Sequence, residues 1–194
     1  ILSSLVGSEM CIRDSPKGVI NIICGEPTEV AQTLSKSTIP NLITMIGSTE
    51  TAKKVISDSS TSIKKYSMEL GGNAPFIVFD DADLDNAINI GAAIKFGNCG
   101  QICVAANRFF VHEKVYDKFL NGLIEKAKNL KIGYSEDLDF EIGPLISKKS
   151  RDRITNLIKD TIDSGGNLEY GGGIPEMSGN WFEPTVISGI NESM

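Results

Sequence analysis

One histidine, His112, in 194 residues leaves no imidazole cluster for ligating a metal or relaying protons. Four cysteines, Cys11, Cys24, Cys99 and Cys103, include no CxxC pair of the kind zinc modules use, so no metal site is expected. The same small count fits a reducing compartment in which thiols stay free, and the location expected is cytoplasmic. Cys99 and Cys103 stand four positions apart, a spacing open to a reversible disulfide if the loop between them folds back. The glycine fingerprint GxGxxG is absent, which removes the usual dinucleotide signature. Basic residues number 19 against 25 acidic ones, for a net charge of −6, and are scattered, which argues against a nucleic-acid surface. No run has the length and apolarity of a membrane span, and no internal repeat recurs. With 41% hydrophobic and 23% charged residues, the chain can bury the core of one large or two small domains.

What is present is an alternation of periods. Residues 19–23, 42–46 and 62–67 read as strands, and 28–36 and 50–58 as helices, a pattern expected of a parallel sheet with crossover helices. A strand at 75–79 and acidic capping at 80–83 then lead into a helix reaching Phe96, with Leu84, Ala87, Ile88 and Ala92 on one face. A loop holding Cys103 precedes a strand at 108–112. Helices are expected at 114–129, with Val115, Phe119, Leu123 and Ala127 as core, and at 148–163, with Ile154, Leu157 and Ile158 as core. Glycine-rich turns separate short strands near 167–170 and 185–187. The class is α/β.

Two side chains invite a chemical reading. A sulfur nucleophile acts as thiolate, so it needs a place where N–H groups favour the anion. Cys103 follows Gly100-Gln101-Ile102 and precedes the small, helix-compatible Val104-Ala105-Ala106, a loop that can aim free N–H groups at sulfur or at an oxyanion. A buried, inert thiol is the alternative. Glu69 opens the run ELGG, whose Gly71 and Gly72 permit close backbone approach or a simple turn. On its own Glu69 reads equally as a solvated carboxylate. Upstream, the apolar run Leu42 to Ile46 ends in Gly47-Ser48-Thr49 and opens a helix, which is either a phosphate seat at a helix N-terminus or ordinary capping.

The runs SMELGGNAPFIVFDDADLD and FGNCGQICVAANRFFV, together with PKGVINIICG at 16–25, IGSTE at 46–50, IGPLIS at 142–147 and WFEPTV at 181–186, resemble the NAD(P)-dependent aldehyde dehydrogenases in the family's own order. The resemblance covers roughly residues 16–194 and is strongest to the succinate-semialdehyde dehydrogenases. It implies an aldehyde-dehydrogenase-like α/β fold in which residues 16–68 form part of a Rossmann-like cofactor domain and 69–194 most of the catalytic domain. Residues 1–15 match no family run and read as a foreign or misassembled segment. By position, the resemblance makes Cys103 the nucleophile and Glu69 the base that activates hydrolytic water. It makes Gly25, Gly47, Ser48 and Leu70 neighbours of NAD or NADP.

An aldehyde is the implied small-molecule partner, neither nucleic acid nor membrane is expected, and the full-length protein is expected to form a homo-oligomer. Family members are more than twice this long, so an internal fragment, inactive alone, is expected; such a piece serving only as a structural module is the second reading. Four positions depart from the relatives. Gly97 stands where the closest subfamily has an Arg for the substrate's distal carboxylate, Ile102 where Thr is common, and Ala52 where a second glycine is frequent. Ala105 replaces a second Cys that some relatives use as a redox partner. Acyl transfer to coenzyme A is disfavoured by Glu69, a base those relatives usually lack.

Overall fold

A computed structural model describes residues 14–134, 140–192 and 194. The chain divides between Leu70 and Gly71 into two compact units, taken in turn.

In the first unit, helix α1 (Pro27–Lys36) begins on proline, whose missing N–H costs a helix start nothing. Strand β1 (Leu42–Gly47), helix α2 (Thr49–Asp58) and strand β2 (Lys65–Leu70) make a parallel β-α-β crossover. The two strands pair from Leu42 opposite Lys65 to Gly47 opposite Leu70. Ser59, fully buried at the end of α2, donates its hydroxyl to the Val55 carbonyl at 2.7 Å and shares a 2.9 Å hydrogen bond with the Tyr66 hydroxyl. That pairing ties the helix end to the second strand, and Ala52 and Val55 are the buried apolar residues of the same helix. Residues 19–23 do not form the expected strand. Val19, Ile22 and Ile23 are exposed, and an apolar run without a neighbouring strand has no ladder to join.

In the second unit, β3 (Ala74–Val78) and β4 (Ala106–Val111) pair in parallel, with α3 (Leu84–Phe96) as the crossover. Asp83 caps α3 by accepting from the Asn86 N–H at 3.1 Å. Helix α4 (Glu113–Asn129) lies against α3 so closely that a Cβ on Gly122 would stand 2.4 Å from Ile88 Cδ1. Helix α5 (Lys148–Asp163), capped by Ser147, is followed by the antiparallel pair β5 (Asn167–Tyr170) and β6 (Val186–Ser188). The core joins Val78, Leu84, Ile88, Ala92, Phe96, Phe119, Leu123, Ile124 and Ala127. At its centre the rings of Phe76, Phe109 and Phe119 are mutually tilted with centroids 5.2 to 6.2 Å apart. Gly91 leaves room for all three, since a Cβ there would meet each ring within 3.6 Å. Helix α5 corrects an expectation: it has no buried residue, and Leu157 is exposed. Its apolar stripe is half covered at Ile154 and Ile158 rather than part of the core.

Candidate active site

The thiol turn grows out of the end of α3. The Gly97 N–H still bonds to the Ala93 carbonyl, after which Asn98, Cys99 and Gly100 all take positive φ (50°, 58° and 70°), so Gly97–Gly100 is a left-handed kink rather than a continuation of the helix. A left-handed backbone costs about 1–2 kcal/mol at a non-glycine residue, so the turn needs compensating bonds. Asn98, one of the few side chains that tolerates this region, donates its amide to the Gln101 carbonyl at 3.1 Å, and the Gln101 N–H and amide both return to the Asn98 carbonyl at 3.0 and 3.1 Å. Gln101 Oε1 accepts from the Ile146 N–H at 2.9 Å, and the Cys99 thiol donates to the Gly143 carbonyl at 2.9 Å. The run 142–147 is thereby tied to the thiol turn. Burial pushes the Cys99 thiol above its usual range and keeps it protonated.

Cys103 is exposed and free, on a turn closed by the Ala105 N–H donating to the Ile102 carbonyl at 3.0 Å. As expected, the loop holding Cys103 leads into a strand, β4, which begins at Ala106. Ala105 and Ala106 are buried, and the residues after them, Asn-Arg-Phe-Phe-Val, alternate as a strand beside β3, so sheet pairing overrides their helix compatibility. The sulfur therefore sits on a strand-entry turn, not at a helix N-terminus. Backing it is Gly72: a Cβ there would stand 2.7 Å from the Cys103 carbonyl oxygen, an approach only glycine permits. Cys99 and Cys103 are both free thiols. Gly97 opens toward Ile102, whose Cδ1 is the nearest neighbour of a Cβ there, at 3.9 Å.

The remaining candidates meet in the first unit. Strand pairing sets Glu69 opposite Ile46 and Leu70 opposite Gly47, so Gly47, Ser48, Glu69 and Leu70 gather at the carboxyl ends of two parallel strands. Open α/β sheets bind ligands at that edge. Ser48 is the N-cap of α2: its Oγ accepts from the Thr51 N–H at 3.1 Å and shares a 2.8 Å bond with the Thr51 hydroxyl. The first-turn N–H groups of a helix lack intrahelical acceptors and carry its positive dipole end, and at the start of α2 Gly47, Ser48, Thr49 and Glu50 are all exposed. That donor set fits a dinucleotide phosphate. Ala52, in the first turn of α2, is buried on the helix's covered face. Gly25 is exposed in the loop ahead of α1, not at the end of a strand as expected, with Val30 Cγ2 3.1 Å from where its Cβ would lie. Sequence reasoning missed Lys95 and Asn107, which meet at 3.0 Å beside the thiol turn; only the ANR run hinted at the second. Among the described residues no group of three metal-ligating side chains gathers, and no helix is long and apolar enough to cross a membrane.

Comparison with known proteins bears on both units. The aldehyde dehydrogenase family model matches residues 2–194, a span that includes most of the opening segment set apart above. A curated relative, succinate-semialdehyde dehydrogenase [NADP(+)] 2 of Schizosaccharomyces pombe, is 41% identical over 181 residues, covering 92% of this chain and 37% of its own length. The crystal structure of succinate-semialdehyde dehydrogenase from Burkholderia pseudomallei superposes with a TM-score of 0.94 at 38% identity, covering 99% of this chain and 40% of that one. Betaine aldehyde dehydrogenase from Staphylococcus aureus, crystallised in complex with NAD+, gives a TM-score of 0.92 at 33% identity, covering 100% of this chain and 39% of that one. The chain thus spans well under half the length of these relatives.

Proposed function

This chain belongs to the aldehyde dehydrogenase family, and we propose that the intact protein oxidises an aldehyde to a carboxylic acid with NAD or NADP, Cys103 being the nucleophile and Glu69 the base. In this reading residues 16–68 belong to the cofactor domain and 69–194 to the catalytic domain. The Cys103 thiolate adds to the carbonyl carbon, forming a C–S bond while the π pair moves to oxygen, and gives a thiohemiacetal. A nicotinamide, when bound, supplies the acceptor for the hydride whose loss leaves a thioester. Glu69 then takes a proton from water as the hydroxyl adds to the acyl carbon; the C–S bond breaks and the thiolate returns. Gly47 and Ser48 would hold the cofactor phosphate, with Gly25 and Leu70 lending backbone near it.

The observation that carries this reading is the exposed Cys103 thiol on a turn buttressed by Gly72, three residues past Glu69 in the chain. The relatives' names favour succinate semialdehyde as the substrate, or a related aliphatic aldehyde. Gly97 lacks the guanidinium that would pair bidentately with a distal carboxylate, so preference for the acid would have to come from other donors. In the intact protein, Cys103→Ser is expected to abolish turnover. Glu69→Gln is expected to leave one equivalent of reduced nicotinamide formed per site and to slow turnover by about 100-fold, at the lower end of what a general base contributes. Turnover by Cys103→Ser comparable to the parent would end the proposal.

A further inference from the structure

Asn107 has no partner on β3: the register passes from Ala74 opposite Ala106 directly to Pro75 opposite Arg108. Proline has no N–H to offer a ladder, so the pairing slips there and one residue of β4 is left over. Such slips re-aim a side chain, and this one sets the Asn107 amide between two fixed groups. Its Oδ1 accepts from Lys95 Nζ at 3.0 Å, and its Nδ2 donates to the Gly72 carbonyl at 3.3 Å. An ammonium can only donate and a carbonyl only accept, so a single orientation of the amide satisfies both. The next residue repeats the motif: Arg108 donates from Nε and Nη2 to the Asn73 carbonyl at 3.2 and 3.0 Å, with its guanidinium 5.7 Å above the Phe110 ring. Lys95 is also bound up with the turn itself, since a Cβ on Gly100 would lie 3.0 Å from its carbonyl oxygen and 3.9 Å from its Nζ.

We infer that Lys95, Asn107 and Arg108 are positioning residues that clamp the Gly72–Asn73 backbone against the Cys103 turn. They act on two consecutive carbonyls just past Glu69 and Leu70, from β4 and the last turn of α3, and none of the three acts on substrate directly. Lys95 is half-buried, and that burial lowers its pKa. The inference rests on the proposed role of Cys103.

The test uses the intact protein with succinate semialdehyde and either nicotinamide cofactor. Asn107→Asp keeps an oxygen for Lys95 but puts a second acceptor against the Gly72 carbonyl. It is expected to lower kcat by about tenfold to 100-fold with KM within about threefold of the parent, because the loss is one of alignment rather than binding. Lys95→Met should do the same, and Lys95→Arg, which still donates to Asn107, should recover most of the loss. If Asn107→Asp and Lys95→Met both turn over within about twofold of the parent, or Lys95→Arg fails to rescue, the clamp is overturned. Should Asn107→Asp lose its cooperative melt, the Lys95 pair decides. Cys103→Ser is assayed alongside: its retention of activity overturns the nucleophile, whereas its inactivity together with a normal Asn107→Asp overturns the clamp alone.

Discussion

Gly72→Ala places a methyl 2.7 Å from the Cys103 carbonyl oxygen. Carbon and oxygen in contact settle near 3.2–3.4 Å, so the overlap is about 0.5 Å, and overpacking of this sort costs about 1–3 kcal/mol. Neither side can yield through a flexible side chain, because both partners are backbone. The Gly72 carbonyl is held by Asn107, and the Cys103 turn is closed by the Ala105–Ile102 bond. Relief therefore comes from moving the Cys103 turn, and misplacing a reacting group by up to an ångström costs on the order of tenfold to 100-fold in rate. Steady-state kinetics of the intact protein should show that loss in kcat/KM, alongside a lower melting temperature. Gly71→Ala serves as the thermal control: nothing lies within 4 Å of a Cβ there, and its melting temperature should match the parent. An alanine at 72 with parental kcat/KM would refute the argument that this approach sets the sulfur's position.

Two further outcomes concern stability. Phe119, 2% exposed and in contact with the rings of Phe76 and Phe109, should cost about 3–5 kcal/mol as Phe119→Ala in denaturant titrations, and a value below about 1 would show that the ring cluster is not the centre of the core. The hydrogen bond from Lys114, at 2.7 Å, and then the charge of His112 hold the Asp80 carboxyl below its ordinary 3.8. A lowered folded-state pKa stabilises above the unfolded value and ceases to as pH falls through the folded one. Lys114→Met should therefore flatten the acid limb of the stability profile below that value, and an unchanged slope would contradict the pairing.

Local signals made most of the architecture readable. Asp83 caps α3 at the expected place, Ser147 caps α5, and the period through Phe119, Leu123 and Ala127 marks the buried face of α4. Non-local pairing hid the rest. Nothing within residues 19–23 says that they lack a neighbouring strand, and nothing within Val104-Ala105-Ala106 says that β3 waits beside them. At the site, the family runs singled out Cys103, Glu69, Gly47 and Ser48, but nothing in them singled out Lys95. Its role depends on a slip opposite Pro75 that joins residues more than thirty positions apart, and no short motif encodes it.

The chain's only indole belongs to Trp181, which is 3% exposed and donates Nε1–H to the Ser178 carbonyl at 2.9 Å, with Tyr134 beside it. Emission from that side chain is a built-in optical gauge of the second unit alone. Its shift to longer wavelength in denaturant would record water reaching this corner.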